Sequence, residues 1–159
     1  MKTTANSTPK GNHSITSYLN IKGAVEAIEF YKEAFGAKEI GRIILPDGGI
    51  AHAELQIGDS KIWLAEENEH WGNRSPQTLG GTPVCMCLYV DDVDTVFNKA
   101  LKAGAKVTGE MEVKDQFYGD RTGTITDPFG HQWSIMTHFE DVSFQEMQKR
   151  FTSMFSVSH

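Results

Sequence analysis

Long apolar runs are missing from this chain. No stretch of roughly 18 apolar residues occurs, so no segment reads as a membrane-spanning helix. Clusters of Lys and Arg are missing too. With 15 basic against 21 acidic residues and a formal net charge of −6, there is no basic footprint for nucleic acid. Cysteine is scarce. Cys85 and Cys87 are the only two, and a strand would set both thiols on one face, too parallel for an easy bridge. Reduced thiols and a cytoplasmic location are the expectation. Residues 1–12 lack the apolar core of a signal peptide and read as a short disordered lead-in. What remains is an average globular composition, 39% hydrophobic and 23% charged over 159 residues. That length suits one domain and buries a core without a metal or disulfide staple.

A repeat organises the sequence. Val25 to Lys38 (VEAIEFYKEAFGAK) is echoed by Val93 to Lys106 (VDTVFNKALKAGAK), and Leu19-Asn20-Ile21 by Leu88-Tyr89-Val90. Two copies are too few for a solenoid and suit a duplicated module. In the first copy a strand at Ser17 to Ile21 precedes a helix with Ala27, Ile28, Tyr31, Ala34 and Phe35 at helical spacing, stopped by Gly36. Strands follow at Glu39 to Leu45, Gly49 to Ile57 and Lys61 to Glu66. In the second copy the strand is Val84 to Val90. A helix capped by Asp91 or Asp92 comes next, and Gly104 ends it. Strands then fit Lys106 to Met111, Arg121 to Thr126 and Gln132 to Thr137, with Gly123 marking a bulge. The predicted class is α+β: βαβββ twice, module one at 14–66, a linker at 67–83 and module two at 84–138. Ser143-Phe144-Gln145-Glu146 has the form of a capping box, predicting a C-terminal helix over 142–155.

Strand alternation sorts the side chains. Ala51, Ala53, Leu55 and Ile57 belong under the helix, which sends Ile50, His52, Glu54 and Gln56 to the opposite face. The same rule sends Tyr18, Trp63, Cys85, Cys87, Tyr89, Ser134 and Met136 to a cavity side. Between two strands, Asp115 to Arg121 concentrates aromatics, carboxylates, an amide and an arginine, a composition suited to the mouth of a site.

The repeated module, the helix AIEFYKEAFGA and the late Asp127-Pro128-Phe129-Gly130-His131 turn resemble the vicinal-oxygen-chelate superfamily: glyoxalase I, extradiol dioxygenases, and fosfomycin- and bleomycin-resistance proteins. His52-Ala53-Glu54-Leu55, Ser75-Pro76-Gln77 and Asp115 to Arg121 resemble its PhnB-like branch. The resemblance covers roughly 14–138 and implies a single domain, in which two βαβββ modules form a half-open barrel around a ligand. It also implies a divalent metal at inward positions that fall here on Thr16, Trp63, Cys85 and Ser134. Only Cys85 among these is a competent ligand, so no metal and no other cofactor is expected at the usual place.

Two functions remain open from the sequence. One is binding of a small aromatic or anionic oxygenated molecule, with Tyr18, Trp63, Tyr89, Gln116, Phe117, Tyr118 and Arg121 as ligand-binding candidates, Arg121 holding the anionic end. The other is a lyase or isomerase in which His52 and Glu54 move protons, with a divalent metal only if a third ligand such as His131 joins them. An interaction module without ligand is a third possibility. The blander alternatives are a structural His52–Glu54 pair, an Arg121 ion pair with Asp115 or Asp120, and Trp63 as a space filler. Cys85 and Cys87 read as small buried hydrophobes. The expected partners are a small molecule and a second copy of the chain.

Overall fold

Leu19 and Ile21 alternate with polar neighbours, and both are buried in β1 (Ser17–Ile21). The computed structural model describes residues 6–156. By its internal packing the chain divides into two units, Met1–Gly81 and Thr82–His159.

In the first unit, β1 leads into α1 (Ala24–Phe35), whose Ala27, Ile28, Tyr31 and Ala34 are buried as their spacing predicts. Gly36 adopts the left-handed conformation at φ 66°. Its N–H and that of Ala37 return to the carbonyls of Lys32 and Tyr31, closing the helix. At the other end Gly23 has no side chain with which to cap. Glu66 does this from across the sheet, its carboxylate accepting from the N–H groups of Gly23 (2.9 Å) and Ala24 (2.8 Å). Three strands follow, β2 (Lys38–Ile44), β3 (Ile50–Ile57) and β4 (Ser60–Glu66). The sheet runs β1-β4-β3-β2, with β1 parallel to β4 and the other pairs antiparallel.

The second unit repeats the plan. It contains β5 (Cys85–Tyr89), α3 (Val93–Lys102), β6 (Lys106–Val107), β7 (Lys114–Asp115), β8 (Asp120–Thr126) and β9 (Gln132–His138). Its order is β5-β9-β8-β6, again with the first strand parallel to the last. Asp92 caps α3 by accepting from the Thr95 N–H. The unit closes with α4 (Phe144–Phe155), whose N-cap Ser143 accepts from the Glu146 N–H. Among the described residues the fold is therefore α+β, with one sheet in each unit and a C-terminal helix. Among the described residues no helix is long and apolar enough to cross a membrane.

Several local expectations are corrected. Ile50 was assigned to the cavity face, yet it is 1% exposed. Ile43 pairs with His52 but Ile44 with Ile50, so Ala51 is an extra residue and the bulge turns Ile50 toward the core. Gly123 does not mark a bulge. The β8–β9 register is unbroken from Asp120↔His138 to Thr126↔Gln132. Gly123 is there because a Cβ would meet the Phe97 ring of α3 at 2.7 Å and Val113 at 2.8 Å. The strand expected over Lys106 to Met111 stops at Val107, and β7 pairs with β8 in its own short ladder. The linker 67–83 folds as well. It holds a 3-10 turn at Glu69–Trp71 and α2 (Pro76–Leu79), steadied by Glu67, which accepts from the Ser75 N–H and the Thr78 hydroxyl. Within the lead-in, the Asn12 N–H returns to the Pro9 carbonyl and its side chain accepts from Lys61 (2.7 Å). Residues 1–5 of that expectation lie outside the described residues.

Candidate functional site

Each unit carries a polar cluster on the sheet face opposite its crossover helix. In the first unit, β1, β3 and β4 bring Tyr18, Glu54 and Trp63 together by register: Trp63 stands beside Tyr18 on one side and Glu54 on the other. The Tyr18 hydroxyl lies 2.9 Å from His52 Nδ1, and His52 Nε2 lies 3.4 Å from Glu54 Oε1. Burial pushes the Tyr18 phenol up, which keeps it a donor. A hydroxyl donating to Nδ1 leaves Nε2 as the nitrogen that faces Glu54. Trp63 meets the rings of Tyr18 (6.0 Å) and His52 (5.6 Å) edge-on. Its Nε1 is buried without a hydrogen-bond partner among the described residues, an uncompensated polar atom at the centre of the cluster. Thr16 and Trp63 also line a shallow cleft of about 490 Å³ with Pro9 and His13.

The second unit holds a larger groove, about 710 Å³. Its floor is β5, β8 and β9, which contribute Tyr89, Asp120, Met136 and His138. Phe117 and Tyr118, from the turn before β8, form one wall, and Phe144, Met147 and Phe151 of α4 form the other. Phe117 packs on Tyr118 (5.2 Å) and on Phe151 (5.5 Å), tying the turn to the helix. Arg150 reinforces the join by pairing with Glu140 (2.7 Å) and donating to the Phe117 carbonyl (3.1 Å). Across the floor runs a hydrogen-bonded chain. Tyr89 donates to Asp120 Oδ2 (2.7 Å), Asp120 Oδ1 faces His138 Nδ1 (2.6 Å), and His138 Nε2 faces Asp141 (2.8 Å). Asp120 is 5% exposed. Asp120 and then Asp141 raise the His138 pKa, and Asp120 also raises that of Tyr89.

Of the sequence candidates, Tyr89, Phe117 and Tyr118 meet in this groove, while Tyr18, His52, Glu54 and Trp63 meet on the first sheet. Two do not join either. Gln116 closes the loop through its backbone, its N–H donating to Asp120 O and its carbonyl accepting from Gly119, and it does not line the groove. Arg121 alternates to the helix face of β8, where its guanidinium bonds Asp94 of α3 (2.8 and 3.0 Å) and Asp115 (2.9 Å). This is the structural ion pair weighed against the anion-holding role, with Asp115 as the partner and Asp94 added. Asp120 is not its partner. Cys85 and Cys87 were expected buried and are both exposed, Cys87 on the groove. His131, which follows the Asp127–Gly130 turn, is buried beside Asp127, whose carboxylate accepts from the N–H groups of Phe129 and His131 and from the Trp133 indole.

Asp120, His138 and the α4 wall were missed. The signal for the first two was present. Counting outward from the Asp127–Gly130 turn along an unbroken antiparallel pair sets Asp120 opposite His138. The strands had been ended one residue too soon.

The duplicated unit, with its parallel outer pair and crossover helix, is matched by one family: residues 13–135 fit the glyoxalase/bleomycin resistance protein/dioxygenase superfamily. The chain belongs to that superfamily. Among its relatives, an uncharacterized protein of Mycobacterium bovis is 41% identical over 143 residues, covering 88% of this chain and 93% of that one. The X-ray structure of an Arabidopsis thaliana gene product superposes with TM-score 0.62 at 26% identity, over 78% of this chain and 98% of that one. A PhnB protein of Bacillus cereus, described as a putative 3-demethylubiquinone-9 3-methyltransferase, shares the fold with TM-score 0.61 at 18% identity, over 79% and 99% of the two chains.

Superfamily members often hold a divalent metal, and the donor set here does not fit one. Thr16 and Ser134 offer neutral hydroxyls and Trp63 an indole without a lone pair to give. Burial raises the Cys85 pKa, which favours thiol over thiolate. Among the described residues no group of three or more His, Cys, Asp or Glu could hold a metal ion.

Proposed function

We propose that this superfamily member binds a small aromatic molecule in the groove of its second unit. The observation that carries this reading is the groove itself. Its volume of about 710 Å³ falls within the usual range for small-ligand sites, and five rings line it. Burial and stacking against Tyr89, Phe117, Tyr118, Phe144 and Phe151 supply affinity without a metal bond. A thermal-shift screen of planar aromatic compounds tests it. Stabilisation of the chain that is lost in Phe151→Ala supports the reading. Stabilisation by no aromatic compound, alongside turnover of some substrate, overturns it.

A second reading is favoured by the Tyr18–His52–Glu54 chain: acid–base chemistry of the lyase or isomerase type on the first sheet. Glu54 orients His52 through Nε2, and Nδ1 takes the Tyr18 hydroxyl proton as the phenol oxygen takes one from the substrate. Intact turnover in both His52→Ala and Glu54→Ala rules these roles out. A homodimer belongs to the proposal as well. Met154 and Phe155 of α4 are left exposed, a face suited to a second copy, and sedimentation of the full chain reports it.

A further inference from the structure

The polar lining of the second-unit groove has an asymmetry that bears on what it accepts. Its strong donors are already engaged by protein acceptors. The Tyr89 hydroxyl donates to Asp120, the Tyr118 hydroxyl to Thr122 (3.4 Å) and the Gln148 amide to Thr152 (3.1 Å). Both ring nitrogens of His138 are engaged by carboxylates. What these groups leave toward the groove is mostly lone pairs: the phenol oxygens of Tyr89 and Tyr118, the Gln148 carbonyl and the second acceptor sites of Asp120. Among the described lining side chains, the second amide hydrogen of Gln148 and the weak thiol of Cys87 remain as donors.

Charge points the same way. Among the described residues no Lys or Arg lines the groove. Arg150 is matched by Glu140 and Glu146, and Arg121 is spent on Asp94 and Asp115. At the polar end, Asp120 and Asp141 face one imidazole, so even a protonated His138 leaves an excess of one negative charge. Ring faces add a negative quadrupole, which attracts cations and not anions.

The geometry points to a planar aromatic cation carrying N–H donors as the ligand class of this groove, its rings held between Tyr118, Phe117 and Phe151 and its positive end toward Asp120 and Tyr89. This rests on the groove being a ligand site, and it replaces the anionic class with its opposite.

Three tricyclic probes of similar size separate the possibilities by fluorescence titration of the full chain: proflavine as cation, acridone as neutral ring and anthracene carboxylate as anion. Proflavine should bind roughly tenfold tighter than acridone, with anthracene carboxylate weakest. Asp120→Asn should remove most of the proflavine preference, and the circular dichroism spectrum of the variant reports that it is folded. The exposed Asp141→Asn should lower the preference in the same direction by a smaller factor. Equal affinity for all three probes, or preference for the anion, overturns the cation class while leaving the groove as a site. Binding of no probe overturns the groove reading itself. A proflavine preference unmoved by both variants overturns the placement of the charge.

Discussion

Glu66 in the first unit and Thr137 in the second stand at corresponding places near the end of the last strand, and both reach the start of the crossover helix. Glu66 accepts from two backbone N–H groups. Thr137 accepts from the Val93 N–H and donates to the Val90 carbonyl, each at 2.9 Å. The frame of the duplication is thus held by position rather than by residue type. The open faces have diverged more. The first sheet places a histidine at mid-strand, between a phenol, a carboxylate and an indole. The second places its histidine at the strand end, between two carboxylates, with α4 packed alongside. Duplication kept what closes a helix and released what faces outward.

The comparison breaks most sharply at the glycines. In the first unit, Gly36, Gly41 and Gly58 have nothing within 4 Å of a built Cβ. In the second, a Cβ on Gly119 would collide with the Glu140 backbone, at a φ of 95°. Gly119→Ala should therefore cost roughly 3 kcal/mol or more in urea denaturation, with loss of the α4 wall. Gly123→Ala, pressed against Phe97, should cost about 1–3 kcal/mol. Gly41→Ala, in open space at the edge of the first sheet, should change stability by no more than about 0.5 kcal/mol. If Gly119→Ala proves as mild as Gly41→Ala, the close packing of the second unit is wrong.

The shared capping role makes the next test. Glu66→Ala should cost about 1–2 kcal/mol and Thr137→Val about 1 kcal/mol by thermal denaturation. A neutral result at either position would end the equivalence of the two.

The smallest effects separate the units by pH. Glu39 in the first unit is lowered to about 2, by Arg42 first and then Lys32. A lowered carboxylate stabilises the fold above its unfolded pKa of about 4.3. That contribution fades as pH falls through about 2. His138 in the second unit is raised, by Asp120 and then Asp141. A raised imidazole contributes fully below about pH 6.5. That contribution is lost as pH climbs through the raised value. Urea midpoints should show Glu39→Gln flattening the acid limb alone and His138→Gln the neutral-to-alkaline limb alone. The reverse assignment would show that these partners do not set the protonation.

Much of this frame was legible in the sequence because it rests on periodicity. The β1, α1, β5 and α3 segments announce themselves by alternation, helical spacing and the two Gly-Ala-Lys stops. Tyr18, His52, Glu54 and Trp63 followed from register alone. Where alternation is interrupted, the reading failed. An extra residue at Ala51 inverted Ile50, and a glycine that signals a bulge in a strand pattern proved to be a packing glycine at Gly123. Arg121 pairs with Asp115, the structural alternative the loop itself suggested, but also with Asp94, which lies 27 residues away on α3, beyond what loop composition reveals. The groove wall from α4 is a tertiary placement, and the capping box predicts a helix but not where it docks.

The parallel pairing of the outermost strands has one more effect. Ser17 lies beside Ile62 and Ile21 beside Glu66, so the polypeptide enters each unit at one extremity of its strands and departs from the other. A module with opposed entrance and exit needs no return path. It can be copied in tandem within a gene by plain concatenation, and a new appendage at its departure point, as α4 is here, extends the last copy without disturbing the pleats behind it.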